Sequence, residues 1–364
     1  MVLLVVFLVG VKGLGEGFEL LGEDLIERFF RATRNPFIGL IVGLLATTIM
    51  QSSSVTTSMV VALTAAPDNP LPLANAVPMI MGANIGTTVT SVIVSLGHLG
   101  RTEEFRRAFP VALCHDLFNY FAVLVLLPLE LTTGYLRMTA VAIGSRLEGL
   151  GGVTYRSPIR TVLDTAYAPL EWLATFVSPA AEGQASVLIA GSALLIFLAL
   201  YLLVLVMRAA AHGRIEVMVT YLLDSHVVVA MLIGVVVTVM VQSSSLTTSL
   251  LVPLAAAGLL RLDQAFPVTL GANVGTTVTA FMAALAVSGP NAVAGLEIAL
   301  VHLLFNLSGI VLIYPIPAIR RIPLRLAETL TQLGLRSRGT LVACVAFAFY
   351  GVPALILIIH NWLT

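Results

Sequence analysis

The octet QSSSVTTS, Gln51 to Ser58, stands between two strongly apolar stretches, and QSSSLTTS, Gln242 to Ser249, repeats it with one residue changed. The octets are 191 residues apart, as are Gly43 and Gly234. GANVGTTVT, which carries Asn273, follows GANIGTTVT, which carries Asn84, by 189 residues. HLLFN, with His302 and Asn306, follows HDLFN, with His115 and Asn119, by 187. Three matches in one order at nearly one offset make the chain two copies of one unit, about 37–130 and 227–314, each preceded by a helix. Whatever fold forms is therefore built twice.

The surroundings of the octets set the solvent. Hydrophobic residues make up 58% of the 364 and charged residues 10%, with a mean hydropathy of +1.01. Soluble domains carry about 25% charged residues, so this is an all-α integral membrane protein whose first partner is the lipid bilayer. A net charge of zero leaves no basic surface for nucleic acid. Cys114 and Cys344 lie in apolar runs and suggest neither a disulfide framework nor a metal site. No cofactor motif and no nucleophile or acid–base constellation points to an enzyme. The N-terminal MVLLVVFLVGVKG lacks a basic leader and a cleavage site and is expected to be a retained helix.

A spanning helix needs about 20 apolar residues. Runs near 1–15, 76–98, 108–130, 184–207, 265–287, 293–314 and 340–360 meet that length or nearly do. Regions 37–66 and 227–260 are apolar but broken by the octets into halves of about 12–15 residues, too short to cross alone. Each region is either one long kinked helix or a re-entrant hairpin, which is tolerated where protein or a polar cavity covers it. The short halves favour the hairpin. Each unit then crosses three times, and an odd number inverts the second copy, as in secondary transporters with a midplane site. With four crossings the copies would be parallel. The expected organisation is a first repeat over 1–130, an inter-repeat loop with an interfacial helix over 131–183, a second repeat over 184–314, and a C-terminal linker and helix over 315–364. Eleven of the nineteen basic residues, Arg101, Arg261 and Arg320 among them, then share the side of the N-terminus, whereas Arg28, Arg31 and Arg34 lie opposite. This leans toward a cytoplasmic N-terminus.

Each octet offers six hydroxyls and one carboxamide, and no charge. Hydroxyls donate and accept, and serine caps the free N–H groups of a helix start. A half-helix beginning at the serines would aim N–H groups and a partial positive charge at one point, an anion site. Neutral donors hold an anion gently enough to release it, and co-bound cations would balance its charge. In the GAN segments, glycine permits an unwound helix. Asn84, Thr87, Thr88, Asn273, Thr276 and Thr277 add neutral oxygens for a hard cation, Na⁺ or, less readily, H⁺. A single serine here would be read as packing glue between helices; eight duplicated residues are read as a site. His115, Asn119, His302 and Asn306 recur at i, i+4 on one helix face and are expected to bond between helices rather than bind ligand. Asp116 corresponds to Leu303 in the second copy, and either a ligand role or a structural one is open to it.

With these residues in hand, the chain resembles the type II sodium–phosphate cotransporter family, in particular its bacterial branch. The likeness covers both repeats and rests on the two QSSS motifs, IMGANIGTTVT (Ile80 to Thr90), FRRAF (Phe105 to Phe109), and HDLFN followed by VLVLLPLE (Val123 to Glu130). It implies sodium-driven symport of inorganic phosphate by alternating access across the cell's inner membrane. It implies phosphate at Gln51, Ser52, Ser53, Ser54, Gln242, Ser243, Ser244 and Ser245. Sodium is implied more loosely at Thr57, Ser58, Gly82, Asn84, Thr87, Thr88, Thr248, Ser249, Gly271, Asn273, Thr276 and Thr277. Electrogenic members of the family carry an aspartate near the position of Arg101, so the resemblance implies that a third sodium site is lacking and that transport is electroneutral. Another oxyanion or dicarboxylate carrier, and a non-transporting membrane sensor, remain the alternatives. The sequence leaves the oligomeric state open.

Overall fold

A computed structural model describes residues 35–66, 70–146, 158–210, 226–286 and 291–363, with scattered helical positions between 3 and 20. The expected 1–15 span falls partly on those scattered positions, and Arg28, Arg31, Arg34 and Arg214 lie outside the described residues. Everything described is helix or connection, as the hydropathy requires.

The first copy runs α1 (Pro36–Met50), α2 (Ser53–Thr64), α3 (Leu73–Gly86), α4 (Val89–Leu96) and α5 (Thr102–Thr133). After it come α6 (Tyr135–Gly144), α7 (Pro158–Val177) and α8 (Ala181–Ala210). The second copy runs α9 (Val227–Val241), α10 (Ser244–Ala256), α11 (Leu262–Ala286) and α12 (Ala292–Ile313). The chain closes with α13 (Pro317–Arg336), α14 (Arg338–Ala346), a π-helical turn (Phe347–Gly351) and α15 (Val352–Leu363). Among the described residues, five stretches are long and apolar enough to span a bilayer: 73–96, 102–133, 262–285, 292–313 and 338–359. The short apolar helices are α1, α2, α9 and α10, the halves on either side of each octet.

Local chemistry explains the starts. Asn35 caps α1, its Oδ1 accepting from Phe37 N at 2.9 Å, and Pro36 occupies a first-turn position where its missing N–H costs nothing. Gly134 ends α5 in the left-handed region that glycine enters freely.

Glycine also decides how α1 meets α3 and α9 meets α11. A Cβ on Gly43 would lie 2.0 Å from the Met79 carbonyl oxygen, and one on Gly82 would lie 1.9 Å from that of Leu40. The second copy repeats this with Gly234 against Val268 at 2.0 Å and Gly271 against Met231 at 1.9 Å. Backbone touches backbone in both pairs, the close approach small residues allow between membrane helices.

Packing between copies is exchanged. Helix α2 lies against α11 and α12 of the second copy, and α10 lies against α4 and α5 of the first. Phe118 on α5 meets Phe266 on α11 edge-on at 6.1 Å between centroids. Outward faces are apolar: Val228, Leu232, Val236 and Met240 form an exposed stripe at spacing four along α9, the composition of a surface wetted by lipid.

The GAN segments stay close to helical instead of unwinding. In the first copy the helix is interrupted at Thr87–Thr88, inside GANIGTTVT, with both residues at right-handed helical angles. In the second, α11 passes unbroken through Gly271–Thr277. The difference coincides with Asp116. Its Oδ1 sits 2.7 Å from the Thr88 hydroxyl, whereas the corresponding Thr277 hydroxyl bonds only within its helix, to the Val274 carbonyl at 2.7 Å.

Candidate substrate site

The two octets adopt the same backbone. Gln51 ends α1 at φ 51° and ψ 21°, and Gln242 ends α9 at φ 57° and ψ 29°. They are the two non-glycine residues with positive φ among those described. The next residue turns extended and caps the following helix. The Ser52 hydroxyl accepts from Val55 N at 3.3 Å and the Ser243 hydroxyl from Leu246 N at 3.2 Å. A left-handed residue followed by a serine cap is what splits each apolar region into two short helices, and the N–H groups of the following first turn are freed from the helix ladder.

Both tips line one cavity of about 480 Å³. From the first copy come Gln51, Ser52, Ser54 and Ser58; from the second, Gln242, Ser243 and Thr279. This volume holds an anion with part of its hydration, since a liquid water occupies about 30 Å³. Ser53, Ser244 and Ser245 are buried beside the cavity and do not line it, and Thr57, Thr248 and Ser249 are likewise set back. The Gln51 carboxamide is fixed from three sides. Its nitrogen donates to the Thr48 carbonyl at 2.6 Å and reaches the Tyr350 hydroxyl at 3.3 Å, and its oxygen accepts from Thr90 at 3.0 Å. The Gln242 nitrogen lies 3.7 Å from the Met282 sulfur.

Oxygens for a cation divide into two groups. Thr57, Thr248 and Thr276 donate their protons to the carbonyls of Ser53, Ser244 and Ala272, which leaves hydroxyl lone pairs free to coordinate. Thr87 does the same toward Ala83. The Ser244 and Ser249 hydroxyls are buried with no protein hydrogen-bond partner among the described residues. Asn84 and Asn273 are engaged elsewhere. His115 Nε2 meets Asn273 Oδ1 at 2.6 Å, and His302 Nε2 meets Asn84 Oδ1 at 3.3 Å, each histidine crossing to the other copy. Asn119 donates to the Asn84 carbonyl at 2.7 Å and Asn306 to that of Asn273 at 3.3 Å. The HxxFN residues thus bond between helices, as their spacing suggested, and they occupy GAN oxygens that the sequence offered to a cation. Gly82 and Gly271 serve the backbone contacts described above.

Sequence reasoning missed three charged side chains on the cavity wall: Lys12 and Glu16 from the N-terminal segment, and Asp164 from α7. The one visible signal was Lys12, the chain's single lysine, standing in an apolar run. Arg101 lies away from the cavity, at the start of α5, where it bonds the buried Glu104 at 3.1 Å.

Comparison with known proteins decides the lineage. The profile of the family described as Na⁺/Pi-cotransporter matches residues 6–154 and 195–352. The chain belongs to this family. Three relatives are the rat sodium-dependent phosphate transport protein 2A (31% identical, 97% of this chain, 66% of the relative), the bovine protein 2B (31%, 97% and 63%) and the human protein 2B (31%, 95% and 62%). The chain thus spans a little under two thirds of the length of these cotransporter relatives. No solved structure matches it. Both segments matched to the Na⁺/Pi-cotransporter family include a QSSS tip, and the gap between them, 155–194, includes all of α7 and the start of α8.

Proposed function

We propose that the protein is a sodium-coupled symporter of inorganic phosphate and not an enzyme. One observation carries the reading: two octets with matching backbone geometry, one from each copy, line a single cavity in a chain of the Na⁺/Pi-cotransporter family. Its relatives are named as sodium-dependent phosphate transport proteins. In this reading α1–α2 and α9–α10 are re-entrant hairpins within inverted repeats, and alternating access turns the copies about their shared cavity. Phosphate is held by Gln51, Gln242 and the serines after them, with the first-turn N–H groups of α2 and α10 as further donors. Sodium takes the hydroxyls of Thr57, Ser58, Thr87, Thr248, Ser249 and Thr276. Asn84 and Asn273 hold those segments in register. Arg101 already pairs with Glu104, which supports electroneutral symport without a third sodium site there. The carrier sits in the cell's inner membrane with a cytoplasmic N-terminus.

The test is labelled-phosphate uptake into proteoliposomes under an inward sodium gradient against a matched potassium gradient, with and without an imposed voltage, and with excess sulfate. Sodium-dependent uptake that resists sulfate and ignores voltage is expected. Uptake driven equally by potassium, or absent under every gradient from monodisperse protein, would rule the reading out.

A further inference from the structure

Neither copy of the repeated unit contributes a charged side chain to the cavity; all three charges on its wall come from outside 37–130 and 227–314. Lys12 is ion-paired with Asp164 of α7, and its Nζ lies 3.8 Å from Glu16 Oε1 and 4.8 Å from the centre of the Tyr167 ring. The lysine side chain is 22% exposed, against 50% for Asp164 and 45% for Glu16. So the cation is the most enclosed of the three, and it stands on the wall of the cavity where the two QSSS tips meet.

We propose that Lys12 is a phosphate-binding residue held in check by Asp164: the ammonium bonds the carboxylate in the empty cavity and transfers to a phosphate oxygen when phosphate arrives. This rests on the phosphate reading given above. An ammonium has three donors on a flexible four-carbon stem, so it exchanges one oxygen partner for another without moving the backbone. Lysine binds phosphate as a point charge, and such charge-assisted bonds are stronger than neutral ones. Asp164 is half exposed, so water solvates it once the lysine leaves. The exchange of one anion for another is close to balanced. It gives the cavity a positive charge while phosphate is present and withdraws that charge when phosphate departs, as a carrier that must release its cargo requires. It also tells phosphate from a neutral solute of the same size, which hydroxyls and carboxamides alone do poorly.

The competition has a signature that a purely structural ion pair lacks. Binding of inorganic phosphate to the purified full chain in nanodiscs with sodium, followed by calorimetry, would be measured for Lys12→Gln, Lys12→Arg and Asp164→Asn. Lys12→Gln is expected to weaken phosphate at least tenfold and Lys12→Arg to weaken it less. Asp164→Asn removes the competing anion and is expected to tighten phosphate several-fold. A pair that only braces α7 against the N-terminal segment predicts weakening by both Lys12→Gln and Asp164→Asn, and that result overturns the proposal. Unchanged affinity in Lys12→Gln overturns it as well, and leaves the phosphate reading standing as long as the parent protein binds. A parent that binds no phosphate in sodium overturns both. Should Lys12→Gln fail to fold, Asp164→Asn decides alone: tighter supports the proposal, weaker or unchanged refutes it.

Discussion

Gln51 and Gln242 hold left-handed backbone angles that cost a non-glycine residue on the order of 1 kcal/mol or more. Strain kept at both tips sets the carboxamide apart from the backbone it sits on, and the two can be tested separately. Gln51→Gly and Gln51→Ala both lose the carboxamide's bonds to Thr48, Thr90 and Tyr350 and should both lose phosphate uptake, but only glycine relieves the strain, so Gln51→Gly should melt above Gln51→Ala. Retained uptake in a folded Gln51→Gly protein would mean that the carboxamide is dispensable. A second residue-scale prediction concerns the asparagines. The Asn273 amide takes part in two cross-copy bonds, to His115 and to Asn119 (2.9 Å), whereas the Asn84 amide reaches one, at 3.3 Å, and returns its nitrogen to Ile80. Leaving a buried polar group unpaired costs about 1–3 kcal/mol. Asn273→Ala should therefore lower the detergent melting temperature more than Asn84→Ala does.

At the scale of elements, the regions 37–66 and 227–260 are legible as interrupted helices because the interruption is written in local chemistry, a serine cap after an uncharged polar residue within apolar sequence. The structure puts the breaks at Gln51–Ser52 and Gln242–Ser243, inside the octets. The break at Thr87–Thr88 is not legible. The two GAN strings are nearly identical, and only Asp116, on another helix and corresponding to a leucine in the second copy, accompanies the difference. Lys12 was unreadable as part of the cavity for a similar reason. Its neighbours there, Asp164 and the octets, are far away in the chain, and no periodicity links them. The glycine contacts carry the element-scale prediction. Gly43→Ala and Gly271→Ala drive a methyl into a carbonyl oxygen and should cost 1–3 kcal/mol or more, read as a lower melting temperature. Gly100→Ala, with nothing within 4 Å, should leave the melting temperature in place.

For the whole molecule, the exchanged packing means that neither copy covers all of its own surfaces. Helix α2 finds its cover in the second copy and α10 in the first. A fragment of residues 1–183 expressed alone should fail to accumulate in membranes. Its co-expression with 184–364 should restore both fragments, and phosphate uptake with them. Immunoblots of the membrane fraction read the first effect and proteoliposome assays the second. Stable accumulation of either fragment alone would show that the copies fold independently.

The glycine contacts have a mechanical side. With backbone against backbone, α1 and α3 form one stiff body, as do α9 and α11. The second arm of each hairpin also packs on the other copy, α2 against α11 and α12 and α10 against α4 and α5. In the proposed alternating access, a rotation of one copy against the other would be felt between the arms, at Gln51 and Gln242, where each octet turns. Pivots placed there would coincide with the groups that line the cavity. A change of shape there is a change of grip.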